Sequence, residues 1–152
     1  MNILNRDIIY ETLTHLEYRD IFNFCESDNY IQNLCHNDPQ ISQLILDKYV
    51  DNYVQSFPNI NQAFIDAIKF NKLDIIDNLI NRGVDPSIEN NWGIRLASSK
   101  GHLNIVNRLL LDSRVNPTSQ NNEAIKMALQ NNYMNIVNRL LQDPRVASTF
   151  RI

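Results

Sequence analysis

Three glycines in 152 residues is few. They stand apart, at Gly83, Gly93 and Gly101, which excludes a glycine-rich loop that could cradle a phosphate. Cysteine is scarcer still. Cys25 and Cys35 alone do not make the disulfide framework of a small secreted domain, and their expected state is reduced and half-buried. Cys35-His36 has no second ligand pair at zinc spacing, since His15 and His102 are the other histidines, so no metal is expected. No apolar run approaches the roughly 18 residues that read as a membrane span. Positive charge is not in excess either. The 14 Lys and Arg against 17 Asp and Glu leave a net charge of −3, which argues against a nucleic-acid surface. The opening MNILNRDIIYETL carries Asp7 and Glu11 inside its apolar pattern and lacks the basic start and apolar block of a secretory leader. A cytoplasmic setting is expected, in the producing cell or in a host.

What is present is repetition. NIVNRLL stands at residues 104–110 and again at 135–141. Aligned on it, residues 90–120 and 121–150 are two units, and residues 60–89 are a more divergent first copy. A period of about 30 residues points to a stacked repeat architecture. Each unit reads as two short helices. Ile94 and Ala97 mark one face of a helix near 91–100, and Leu103, Val106, Leu109 and Leu110 mark the next. Between them stands Gly101, matched by Asn71 and Asn132, the residue types that accept the left-handed conformation ending a helix. Ala67, Ala97 and Ala128 coincide, as small residues do where helices pack closely. VDPS and VNPT each carry a proline that stops the preceding helix. One helix pair cannot bury both its faces, so stacking must bury Ile94, Leu109 and their equivalents. The doublets Asn90-Asn91, Asn121-Asn122 and Asn131-Asn132 read as coding bias that turns absorb cheaply.

GIRLASSKGHLNIVNRLL resembles the ankyrin repeat, with Gly101-His102-Leu103 matching the family's GHL. Trp92-Gly93-Ile94-Arg95 stands where the family has TPLH, and Ala124-Ile125 keeps the apolar anchor in the third unit. No unit keeps the Thr and His of that motif. The units are two to three residues shorter than usual, a loss that falls in the hairpin and implies stubby tips. The resemblance implies binding through the tips, here Glu89, Asn91, Trp92 and Asn122, and the first helices, here Ser99, Lys100, Gln130 and Asn131. Trp92 is the single tryptophan. It reads equally as a binding hot spot or as a ring packed on Ile88 or Val84.

Residues 1–57 do not join the period. Ile8, Ile9, Leu13 and Leu16 fit one amphipathic helix, Ile21 to Cys25 a second, Tyr30 to Leu34 a third stopped at Asn37-Asp38-Pro39, and Ile41 to Tyr53 a fourth. Leu4, Asp7-Ile8, Leu16, Asp20-Ile21, Phe24-Cys25, Tyr30 and Leu34 follow an order that resembles an F-box, with Asn5 in place of its proline. A plain helical cap on the first repeat explains the same pattern. The F-box resemblance implies docking on the linker subunit of a cullin-type ubiquitin ligase through Leu4, Ile8, Leu16 and Ile21. The order, the Asn and Ile richness and the DPRV connector resemble ankyrin proteins of giant DNA viruses that infect amoebae, which implies a host protein as target.

The expected architecture is therefore all-α: an F-box-like bundle over 1–57, then a solenoid of three helix pairs over 58–152. The expected function is recognition without cofactor or catalysis. Asp74 and Asp77 read as solvated surface, because Asn104 and Asn107 stand at the same places in the next unit. His102 reads as a turn residue with local hydrogen bonds. The second helix of the third unit repeats the internal one letter for letter. Either Val146, Phe150 and Ile152 fold back to cover it, or a partner does, such as a second copy in a homodimer.

Overall fold

The computed structural model describes residues 5–151, and among them every regular element is a helix. Ile152, which the sequence offers as part of a C-terminal cover, and Leu4, a docking candidate, lie outside the described residues. The chain divides into two compact units, 1–57 and 58–152.

The first unit holds α1 (Arg6–His15), α2 (Tyr18–Cys25), α3 (Asn29–Asn37) and α4 (Pro39–Val54). Short polar side chains start three of them. Asn5 caps α1, Asp28 caps α3, and Asp38 caps α4 by accepting from the amides of Gln40 and Ile41. Pro39 takes the first position of α4, where its missing N–H costs nothing. The longer α4 packs against α1, α2 and α3. Ile9, Leu13, Ile21, Ile31 and Ile41 meet in the core, as the 3.6-residue spacing requires. Arg6 is paired with Asp38, and Lys48 Nζ donates to the carbonyls of Thr14 (3.0 Å) and Leu16 (2.6 Å) at the end of α1. Tyr18, Tyr49, Tyr53 and Phe57 form a row of tilted rings with centroids 5.3, 6.4 and 5.0 Å apart.

One expectation is corrected here. Cys25 and Cys35 are not separate thiols but a disulfide, with Cα atoms 5.9 Å apart. Each ends up buried at the C-terminal part of its helix, and the turn after α2 brings the two helices side by side. Two cysteines 10 residues apart give no hint of this until both helices are in place.

The second unit holds α5 (Ile60–Lys69), α6 (Leu73–Asn81), α7 (Ile88–Lys100), α8 (Leu103–Leu110), α9 (Ser119–Gln130), α10 (Met134–Leu141) and α11 (Pro144–Thr149). Three helix pairs stack in order, with α5 on α7 and α7 on α9. Each first helix ends alike. Asn71, Gly101 and Asn132 take left-handed φ values of 58, 80 and 60°. The amides of Lys72, His102 and Tyr133 then reach back to the carbonyls of Ala67, Ala97 and Ala128, at 2.9, 3.0 and 2.8 Å. The three alanines are fully buried, so one position both closes its helix and lets the next approach. Gly93 marks a close approach between repeats, since a Cβ there would lie 2.9 Å from Ile68 Cδ1.

The second and third repeats each open on a left-handed turn. Glu89, Asn90 and Asn91 all have positive φ, and so do Gln120, Asn121 and Asn122. Of the eight non-glycine residues with positive φ among the described residues, six are asparagine. The asparagine doublets therefore carry a conformational demand, and the reading of them as coding bias alone is corrected. Asn is the side chain that visits this region at least cost.

The end of the array is partly closed from within. Ile136, Val137 and Leu140 are buried, and α11 packs on α10 with Val146 buried and Phe150 half-buried. Arg145 donates to the Val115 carbonyl at 3.0 Å, and Thr149 bonds Asn122. Met127 and Leu129 stay half-buried and Met134 exposed.

Candidate functional site

The first helices α5, α7 and α9 bury Phe64 with Ala67 and Ile68, then Ile94 with Ala97, then Ile125 with Ala128. Their opposite face is set by the same helical period. Residues at i, i+3 and i+7 share it: Gln62, Ile65 and Lys69 on α5, Trp92, Arg95 and Ser99 on α7, and Glu123, Lys126 and Gln130 on α9. All nine are half-buried or exposed. Stacking in register turns them into three rows across the array.

On the middle helix of this face stands Trp92. Its half-buried ring lies under the Arg95 guanidinium, 4.8 Å from centroid to Cζ, which is the geometry of a cation–π pair. Arg95 also pairs through Nη2 with Glu123 of the next repeat. Its Nε is buried and makes no hydrogen bond among the described residues. Of the two readings for Trp92, packing on Ile88 or Val84 and exposure for binding, the structure adds a third: the ring is a platform for Arg95.

The structure spreads the sequence-predicted residues over several places. Ser99, Lys100 and Gln130 are half-buried or exposed on the first helices, and Asn131 is exposed at the C-cap of α9. Ser99 Oγ donates to the Leu96 carbonyl at 2.9 Å, and Asn131 Nδ2 to the Met127 carbonyl at 2.9 Å. Glu89 is exposed on the left-handed turn. Asn91 and Asn122 are corrected. Both are buried and serve the array: Asn91 Oδ1 accepts from the Asn116 amide at 2.6 Å, and Asn122 bonds Thr149. In the first unit, Ile8 is 48% exposed and Leu16 half-buried, but Ile21 is corrected to a core residue. Arg95, Glu123 and Lys126 were missed by the sequence reading. The signal is the shift of 31 positions, which puts Glu123 opposite Trp92 and Lys126 opposite Arg95.

Two further readings change. Asp77 is not merely solvated, since it pairs with Arg108 of the next repeat. His102 reaches beyond its own turn, its Nε2 lying 3.3 Å from the Lys69 carbonyl. The pKa values of Asp38, Asp85, Asp112 and Asp143 are pushed down, and each belongs to a turn or a cap. Hydrogen bonds from Arg114 lower Asp112, those from Arg145 lower Asp143, and the amide and hydroxyl of Ser87 lower Asp85. Such carboxylates stay ionised at neutral pH and hold their turns. No group of three or more His, Cys, Asp or Glu side chains among the described residues is arranged to hold a metal ion.

Helix pairs of one period, stacked so that each covers its neighbour, with a polar and aromatic face left open, define a short α-solenoid of the protein-binding kind. The family described as "Ankyrin repeats (3 copies)" matches residues 64–149, and the chain belongs to it. Neither the curated proteins nor the solved structures yield a match.

Proposed function

We propose that the chain is an adaptor that recognises proteins and carries no catalysis. Its ankyrin unit holds a target protein on the first-helix face, and its N-terminal unit docks, as an F-box-like bundle, on the linker subunit of a cullin-type ubiquitin ligase. The observation that carries the target-binding part is the Trp92–Arg95–Glu123 cluster on an open face. A large aromatic beside an arginine is the composition of binding hot spots. The ligase part is supported by the F-box-like order of residues and by Ile8, Tyr10, Phe22 and Tyr30, large apolar side chains that the first unit leaves exposed. By the resemblance to giant-virus ankyrin proteins, the proposed target is a host protein.

A pull-down with the ligase linker subunit as bait tests the docking. Wild type should be captured, and Ile8→Asp should not, while its circular dichroism stays native because Ile8 is surface-exposed. A well-folded wild type that the bait fails to capture removes the ligase link. A self-associating scaffold is the second reading, favoured by the half-buried Met127 and Leu129 and the exposed Met134 at the end of the array. Light scattering separates it: a homodimer that Met134→Glu dissolves supports the scaffold, and a monomer at all concentrations excludes it.

A further inference from the structure

The charge of the chain is split between its units. Residues 1–57 hold three basic and nine acidic side chains, a net of −6, and residues 58–152 hold 11 basic and eight acidic, a net of +3. The ankyrin unit is thus basic inside an acidic protein. Part of that excess lies on the first-helix face, where Lys69, Arg95 and Lys126 stand one per repeat against Glu123.

Arg95 is the decisive member. A guanidinium does not lose its proton, so all of its N–H groups are permanent donors. Nη2 is occupied by Glu123, while Nε is held buried without a partner, which leaves a desolvated donor unsatisfied. A carboxylate that engages Nε and an Nη together makes the bidentate pair that arginine geometry favours. Trp92 fixes the plane of the guanidinium for such an approach and offers apolar ring surface beside it.

We propose that the first-helix face of the ankyrin unit takes an acidic protein segment, one carboxylate of which pairs with Arg95 beside Trp92 while flanking negative charge lies along Lys69 and Lys126. This rests on the protein-binding reading of that face. Glu123 stands in for the ligand's carboxylate in the free protein and is displaced from Arg95 on binding.

The test is selection from a random dodecamer library on the immobilised full chain, followed by titration of the enriched peptides. Trp92 is the only tryptophan, so its emission reports on this face alone. Enriched peptides should be acidic, should shift Trp92 emission, and should bind more weakly as salt rises. Lys126→Glu should weaken them about tenfold with an unchanged melting temperature, since an exposed, like-charged rim residue acts on binding and not on folding. Glu123→Gln should tighten them about threefold or more by removing the internal competitor. Enriched peptides that are neutral or basic and still shift Trp92 would leave the protein-binding reading standing and overturn the acidic ligand. An empty selection would overturn both. Weaker binding by Glu123→Gln would make Glu123 part of the site and overturn the displacement. A salt-sensitive dimer broken by Lys126→Glu would give the face to a second copy and overturn the proposal.

Discussion

Asn91 offers a measurement that separates two physical terms at one residue. It sits in the left-handed region at φ 61°, it is buried, and its Oδ1 accepts from the Asn116 amide at 2.6 Å. Asn91→Ala removes the acceptor and places an ordinary L side chain where the left-handed backbone costs about 1–2 kcal/mol. The lost hydrogen bond adds about 1 kcal/mol, at the low end because Asn116 is itself exposed and its amide can turn to water. Asn91→Ala should therefore cost about 2–3 kcal/mol. Asn91→Gly loses the same acceptor but keeps the backbone at ease, so it should cost only about 1–2 kcal/mol, the glycine's own unfolded-state entropy included. Urea unfolding followed through Trp92 emission reads the ankyrin unit without the first unit, because the single tryptophan lies there. The reasoning is refuted if the two variants are equal, or if Asn91→Gly is the weaker. Equality would mean that the left-handed turn carries no cost for a side chain.

The remaining expectations follow the same logic. The Arg6 hydrogen bond, helped by the Ile41 amide, holds the Asp38 carboxyl at about 2 against an ordinary 3.8. A carboxyl depressed by folding contributes its stability above its unfolded pKa and gives it up as pH falls toward about 2. The melting temperature of wild type should drop across that acid window, and that of Asp38→Asn should drop less. The Cys25–Cys35 bridge closes a short loop and should contribute about 3 kcal/mol to the first unit, read as the loss in a Cys25→Ser, Cys35→Ser variant. Thiol titration of the oxidised, unfolded chain should find no free thiol; two would overturn the pairing. Gly101→Ala meets a φ of 80° and the Tyr133 ring at 2.8 Å, and should cost about 2 kcal/mol, whereas Asn132→Gly should be near neutral. Arg108 and Arg139 occupy identical letters but face Asp77 and Asn107. A double-mutant cycle on the first pair should give up to about 1 kcal/mol that fades with salt, and on the second a value indifferent to salt.

The array was legible because its demands are periodic. Ala67, Ala97 and Ala128, and the left-handed Asn71, Gly101 and Asn132, each announce one backbone requirement three times, and a requirement repeated at fixed spacing can be read without coordinates. What was not legible depends on contacts between elements that only the fold brings together. Asn91 reads as an exposed tip, yet the connector at the far end of its own unit presents the Asn116 amide to it, and it is buried. Arg95 reads as a substituted motif residue until Glu123 arrives from the next helix pair. Cys25 and Cys35 meet only once α2 and α3 lie side by side, and in the aperiodic first unit no second copy exists to reveal the geometry.

The heptapeptide shows why repetition of letters does not end in repetition of roles. NIVNRLL buries the same three side chains in both copies, Ile105, Val106 and Leu109 in one and Ile136, Val137 and Leu140 in the other. Those positions look inward, where every unit meets the same kind of wall. Its arginine looks along the stack, toward whatever the preceding unit offers. That is an aspartate for Arg108 and an asparagine for Arg139, because the first copy has diverged to DIIDNLI. A solenoid has a direction, so outward positions sample a different neighbour at each step even when the sequence does not change. The first-helix face follows the same rule. Gln62, Trp92 and Glu123 are one position in three surroundings, and only Trp92 has an arginine over its ring and an acid behind that arginine. Specificity is therefore written at the positions that differ between units, on a scaffold written at the positions that do not.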